Sequence, residues 1–213
     1  FLGRGTEPTT LEAALVLDRS GSMRQDAGPQ TKMAQLHRAA GTFVDLMRAG
    51  AGDRLAIVGF DDSASVAHGL QELTESPQNT RQDARTAIQS LSPRGRTSIG
   101  GGVSTARGEF GQGSDDVRQV LVVVSDGMEN EPPYVLPSDD QQGVSLSALD
   151  DFGIHTVGLG LGSEVDLPVL QKLASIGEGG TSAESVAEGS FHLTEERWLR
   201  LQKFFVEIFA DAM

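Results

Sequence analysis

The feature that most constrains this chain is the alternation of short apolar runs with helical patterns. LEAALVL (11–17), RLAIVGF (54–60), VRQVLVVVS (117–125) and IHTVGLGL (154–161) are dominated by Leu, Val and Ile. Runs of this length that do not alternate with polar residues suit strands covered on both faces, as in a largely parallel sheet. SVAHGL (65–70) does alternate, and it follows the turn residues DDSA. That pattern predicts a hairpin with 54–60 and an antiparallel place at the sheet edge. SFHLT (190–194) reads as a last short strand.

Helical patterns separate these runs. In 31–50, Met33, Leu36, Ala40, Phe43, Val44 and Met47 recur at three- and four-residue spacings, and Gly50 closes the segment. Residues 79–91 are amphipathic and more polar. Residues 98–110 form a poor helix by propensity, because Gly100, Gly101 and Gly102 are consecutive. Segments 145–153 and 166–177 each end at a glycine. The closing segment 195–213 puts Trp198, Leu201, Phe204, Phe205, Ile208 and Phe209 on one side. The order βαββααβαβαβα predicts an α/β fold: doubly wound, with a mostly parallel central sheet, one antiparallel edge strand and helices on both faces. The proline-rich stretch 130–143 reads as a surface loop, so residues 1–213 are expected to be one domain with its core at about 12–211.

Composition removes several functions. The formal net charge is −13, which repels a phosphate backbone and anionic membrane surfaces alike. No apolar stretch approaches the roughly 20 residues of a membrane span. With no cysteine there is no disulfide, thiolate metal site or cysteine nucleophile. The compartment stays open, cytoplasmic or secreted and cell-surface as part of a larger protein.

In a doubly wound sheet, ligands bind outside the carboxyl ends of the strands where the strand order reverses. At that end of the first strand the sequence reads LVLDRSGSM, with Asp18, Ser20 and Ser22 at alternate positions. A covalent catalyst, a helix cap or a metal site would each use a carboxylate and hydroxyls there. Asp126 follows the strand 117–125, and Thr97 opens the glycine-rich segment within PRGRTSIGGG. Three loops thus offer hydroxyls and carboxylates to one crevice, a set of oxygens suited to a hard divalent cation. A cap needs one residue rather than three, and the helix at TKMAQL starts later. His37, His68, His155 and His192 show no ligand spacing. Met23 is expected in the packing. Arg19, Arg24, Arg94 and Arg96 are expected to be solvated.

DRSGSM, GRTSIGGGV and VVVSDG together resemble the metal-ion-dependent adhesion site of von Willebrand factor type A domains, bacterial members above all, and the similarity runs from about residue 12 to the last helix. The resemblance implies a Rossmann-like fold and a metal site of Asp18, Ser20, Ser22, Thr97 and Asp126. Ser20 and Ser22 would bind the ion directly, Thr97 directly or through water, and Asp18 and Asp126 mainly through water or hydrogen bonds. The cation would be Mg²⁺, with Mn²⁺ or Ca²⁺ as substitutes, and the partner a protein supplying an Asp or Glu carboxylate. A non-enzymatic adhesion module follows, or the adaptor subunit of a chelatase or secretion machine.

The enzymatic alternative is a Mg²⁺-dependent phosphatase of the haloacid dehalogenase type, with D-x-D after the first strand. Ser20 replaces the second Asp and cannot protonate a leaving group near neutral pH. Such an enzyme also needs a lysine ahead of its last acidic motif. Lys32, the only lysine between Asp18 and Asp126, lies too early for that in the sequence. Neither a G-x-S-x-G elbow nor a phosphate-binding G-x-x-x-x-G-K-[ST] loop is present.

Overall fold

The computed structural model describes residues 10–114, 116–147 and 166–176, and the backbone course of strands His155–Leu161 and Ser190–Leu193. The helices expected at 145–153 and 195–213 lie largely or wholly outside the described residues.

The strands are β1 (Thr10–Asp18), β2 (Asp26–Ala27), β3 (Gln30–Thr31), β4 (Arg54–Phe60), β5 (Ala64–Glu72), β6 (Val117–Ser125), β7 (His155–Leu161) and β8 (Ser190–Leu193). The described helices are α1 (Lys32–Leu46), α2 (Thr80–Ser90), α3 (Ile99–Arg107) and α4 (Leu167–Ala174). Six strands form one sheet in the order β5-β4-β1-β6-β7-β8. Every pairing is parallel except β4 with β5, the hairpin at the edge.

The apolar runs of β1, β4 and β6 are buried on both faces because successive side chains of a strand point to opposite sides. Leu11, Ala13, Leu15 and Leu17 of β1 pack with Leu36 and Phe43 of α1 and Ile88 of α2. The intervening Ala14 and Val16 pack with Ile99 and Val103 of α3 and Leu170 and Leu173 of α4. One strand therefore serves two cores, and each fully buried side chain of this size contributes about 1.5–3 kcal/mol.

Two details depart from the pattern in the sequence. Helix α1 stops at Leu46, where Met47 turns extended, and does not run to Gly50. The guanidinium of Arg81, from α2, donates to the carbonyls of Val44, Asp45 and Met47, and so satisfies the groups that further helix would have used. A short ribbon of β2 and β3 also precedes α1 and carries the chain from the first site loop to the helix. The proline-rich segment is mostly exposed, as expected, but Val135 is buried in the second core and Tyr134 bridges to Gly143.

The consecutive glycines of α3 have a packing reason. A Cβ on Gly100 would lie 2.2 Å from the carbonyl oxygen of Pro133, and one on Gly102 would lie 2.8 Å from Val16 and 2.9 Å from Phe60. The helix gives up propensity for a close approach to the sheet and to the proline-rich loop.

Candidate metal centre

Strands β1 and β6 are neighbours, and their last paired residues are Leu17 and Val124. Asp18 and the Ser125–Asp126 pair therefore leave the sheet together, where the chain passes to β4 on one side of β1 and to β6 on the other. Both carboxylates are enclosed, Asp18 at 0% and Asp126 at 1% exposure.

Asp18 holds the loop that follows it. Its Oδ1 accepts the amide of Ser20 at 2.7 Å and its Oδ2 accepts the hydroxyl of Ser125 at 2.6 Å. The hydroxyls of Ser20 and Ser22 lie 2.9 Å apart, and Ser22 donates to Asp126 Oδ1 at 2.7 Å. This chain of contacts joins the first and last loops. The middle loop closes on them through the amide of Gly21, which donates to the carbonyl of Gly95 at 3.0 Å. Gly95 has φ +62, a conformation that favours glycine, and a Cβ there would strike Asp62.

Thr97 is 4% exposed. Its amide donates to Asn130 Oδ1 at 2.9 Å, and its carbonyl accepts the amides of Asn130 and Glu131. Its hydroxyl and that of Ser22 both flank Gly127, 3.7 and 3.9 Å from where a Cβ there would lie. The structure thus brings Asp18, Ser20, Ser22, Thr97 and Asp126 to one crevice.

The helix-cap alternative for the first loop fails on geometry. Thr31 caps α1, accepting the amide of Ala34 at 3.2 Å. Ser98 occupies the N-cap position of α3 without a side-chain cap, and its hydroxyl donates instead to the carbonyl of Pro132. Glu129 takes the amides of Gly100 at 2.6 Å and Val135 at 2.7 Å. Burial pushes its carboxyl up to about 7, with help from nearby Asp166. Met23 is fully buried, as expected, and Met128 is 54% exposed beside the crevice. Arg19 and Arg94 are not simply solvated, because both meet Asp61, at 2.8 and 2.6 Å.

Sequence reasoning missed two participants. Ser125 stood inside the quoted VVVSDG with no role, yet it is the hydrogen-bond donor to Asp18. Lys32, dismissed as too early, reaches the site: its Nζ lies 2.7 Å from Asp126 Oδ2 and 2.8 Å from Gln25 Oε1, and the residue is 5% exposed. A signal existed, since Lys32 opens a helix with no acidic residue in its first turn. A cation there opposes the helix dipole and needs a carboxylate from elsewhere. This contact removes one argument against the phosphatase alternative, while the argument from Ser20 stands.

The donor set fits a hard divalent cation. Among the described residues no three His, Cys, Asp or Glu side chains gather, so a cation must rely on hydroxyls together with carboxylates. Three hydroxyls and two carboxylates provide that here. The crowding of two buried acids is also felt: burial, then the charge of Asp126, pushes the Asp18 carboxyl up to about 6, against the hydrogen bonds from Ser125 and Ser20. A cation would relieve that repulsion.

Fold and site define a doubly wound domain with a three-loop oxygen crevice at its switch point. The family model described as von Willebrand factor type A domain matches residues 13–129, and the chain belongs to that family. Solved structures agree in fold. Proximal thread matrix protein 1 from the mussel byssus shares 22% identity at TM-score 0.68, over 94% of this chain and 46% of that one. The same protein with a zinc-occupied MIDAS motif shares 19% at TM-score 0.68, over 94% and 48%. A von Willebrand factor type A protein from Catenulispora acidiphila shares 18% at TM-score 0.70, over 98% and 43%. The von Willebrand domain of a type V pilus tip protein from Porphyromonas gingivalis shares 13% at TM-score 0.68, over 98% of both chains. This chain thus spans less than half the length of the mussel and Catenulispora proteins. No curated protein matches the sequence.

Proposed function

We propose that this domain docks a protein partner through a divalent cation, Mg²⁺ in the first place and Mn²⁺ or Ca²⁺ as substitutes. The observation that carries the reading is the convergence of Ser20, Ser22 and Thr97 with Asp18 and Asp126, from three loops, at one crevice. A cation held there supplies an electrophilic position for one carboxylate oxygen of a partner's Asp or Glu. Ser20 and Ser22 would hold it directly, and Thr97 directly or through water, by neutral oxygens that cancel little of its charge. Asp18 fixes the loop through the Ser20 amide, and Asp126 orients the Ser22 hydroxyl. The zinc-occupied motif named for the mussel protein lends support, as does the family itself.

The domain has no catalytic role in this reading. Ser20 offers no proton at neutral pH where the phosphatase mechanism requires an acid. Among the described residues no helix is long and apolar enough to cross a membrane.

Titration calorimetry on metal-free protein tests the proposal. Mg²⁺ should bind with one-site stoichiometry, and Ser22→Ala and Thr97→Ala should each weaken it. No heat at millimolar metal, or binding unaltered in an Asp18→Ala/Asp126→Ala variant, overturns it. Partners retained with Mg²⁺ and released by chelator are the expected companions. Hydrolysis of aryl phosphates that Asp18→Asn abolishes would favour the phosphatase instead.

A further inference from the structure

Lys32 is an unusual neighbour for a cation site. It lies at the first position of α1 and is almost fully enclosed, with its ammonium between Asp126 Oδ2 at 2.7 Å and Gln25 Oε1 at 2.8 Å. Both ends of the pair are buried, with side-chain exposures of 6% and 0%. Such a pair must offset a large desolvation cost, and helix stability does not explain it, because the dipole at that end is unfavourable to a cation.

The geometry divides the two oxygens of Asp126. Oδ1 accepts the Ser22 hydroxyl and Oδ2 accepts the ammonium. We propose that Lys32 is a resident counter-ion of the site: it weakens the hold on the divalent cation so that the loaded site keeps a net positive charge and takes one anionic ligand. This rests on the docking function proposed above.

Asp18 and Asp126 contribute two negative charges, Lys32 one positive and the hydroxyls none. With a divalent cation the sum is one positive charge, which a single carboxylate neutralises. Without Lys32 the loaded site is already neutral, and its pull on an anion falls. Of the other basic side chains at this end, Arg19 and Arg94 lie on Asp61 and Arg96 on Glu131, while Arg24 is exposed and donates to the carbonyl of Pro93. A purely structural lysine would behave differently, since losing it would loosen the site and weaken metal and anion together.

The test compares wild type, Lys32→Gln and Lys32→Arg, with Mn²⁺ and then acetate as probes. Calorimetry reads Mn²⁺ affinity, and water-proton relaxation of the Mn²⁺-loaded protein reads displacement of bound water by acetate. Lys32→Gln should bind Mn²⁺ at least about tenfold tighter, as expected for loss of one like charge at a buried site. It should also need severalfold more acetate for half displacement. Lys32→Arg, which keeps the charge, should stay nearer to wild type in both. If Lys32→Gln folds only with metal, the rise of its melting temperature with Mn²⁺ gives the same comparison. Equal or weaker Mn²⁺ binding by Lys32→Gln, with wild type binding normally, overturns this inference and leaves the docking function standing. Failure of wild type to bind Mn²⁺ overturns both.

Discussion

Replacing Gly100 by alanine sets helix propensity against packing. In an exposed helix the change would stabilise by about 1 kcal/mol. Here the new Cβ would lie 2.2 Å from the Pro133 carbonyl oxygen, 3.0 Å from its carbon and 3.2 Å from the carbonyl carbon of Tyr134. An ordinary carbon–oxygen contact is about 3.3 Å or more. The overlap of roughly 1 Å is with backbone, which cannot rotate away, so helix and loop must separate. Overpacking of this kind costs about 1–3 kcal/mol. Separation also strains the bonds that Glu129 accepts from Gly100 and Val135 and that Ser98 donates to Pro132, at about 1 kcal/mol each. After the propensity gain, a net loss of about 3–5 kcal/mol is expected for Gly100→Ala. Gly102→Ala meets side chains of Val16 and Phe60 that can shift slightly, and should lose about 1–2 kcal/mol. Gly101→Ala meets mainly the Ser98 side chain, whose hydroxyl can turn, and should be nearly neutral. Urea unfolding followed by circular dichroism gives the order of midpoints. Gly100→Ala should also bind Mg²⁺ more weakly, because the displaced loop carries Asn130 and Glu131, which hold Thr97. A Gly100→Ala midpoint at or above wild type would refute the packing argument outright.

Three further outcomes are expected. Asp53 is buried, which pushes its carboxyl up, but hydrogen bonds from the Arg48 side chain and amide and from the Leu11 amide leave it below the ordinary value of 3.8. Its folded pKa is depressed, so its contribution is full above the unfolded value and is lost as pH falls through the folded one. Asp53→Asn should lose about 2–3 kcal/mol at neutral pH and much less in acid, checked by urea midpoints along a pH series. Arg81→Met removes the donors to Val44, Asp45 and Met47 and should cost about 2–3 kcal/mol, read from thermal melting, with Arg81→Lys intermediate. Ser125→Ala strips Asp18 Oδ2 of its donor and should cost about 1–3 kcal/mol in metal-free protein while weakening Mg²⁺ binding severalfold by calorimetry.

Much of this protein is written locally. The unbroken apolar runs of β1, β4 and β6 predict strands covered on both faces, and those are the strands with a core on each side. The alternating 65–70 segment predicts the antiparallel edge, where β5 lies. Asp18 and Asp126 end neighbouring strands at the switch point because connection rules of α/β sheets leave few other arrangements. These readings rest on periodicity and turn chemistry, which act over a few residues.

What only the tertiary structure decided depends on groups far apart in sequence. Lys32 is 94 residues from Asp126, and no local pattern says that its ammonium turns inward. The end of α1 is set by Arg81 from another helix, and so the break comes before Gly50. The three glycines of α3 look like a fault by propensity until the Pro133 carbonyl and the Val16 and Phe60 side chains occupy the space a Cβ would need. Ser98 has the right type and place for a cap, yet its hydroxyl meets the Pro132 carbonyl, while Glu129 takes an amide of the first turn. In each case burial makes an unpaired polar group or an occupied volume costly, and the partner that resolves the cost is supplied by the fold rather than by the neighbouring residues.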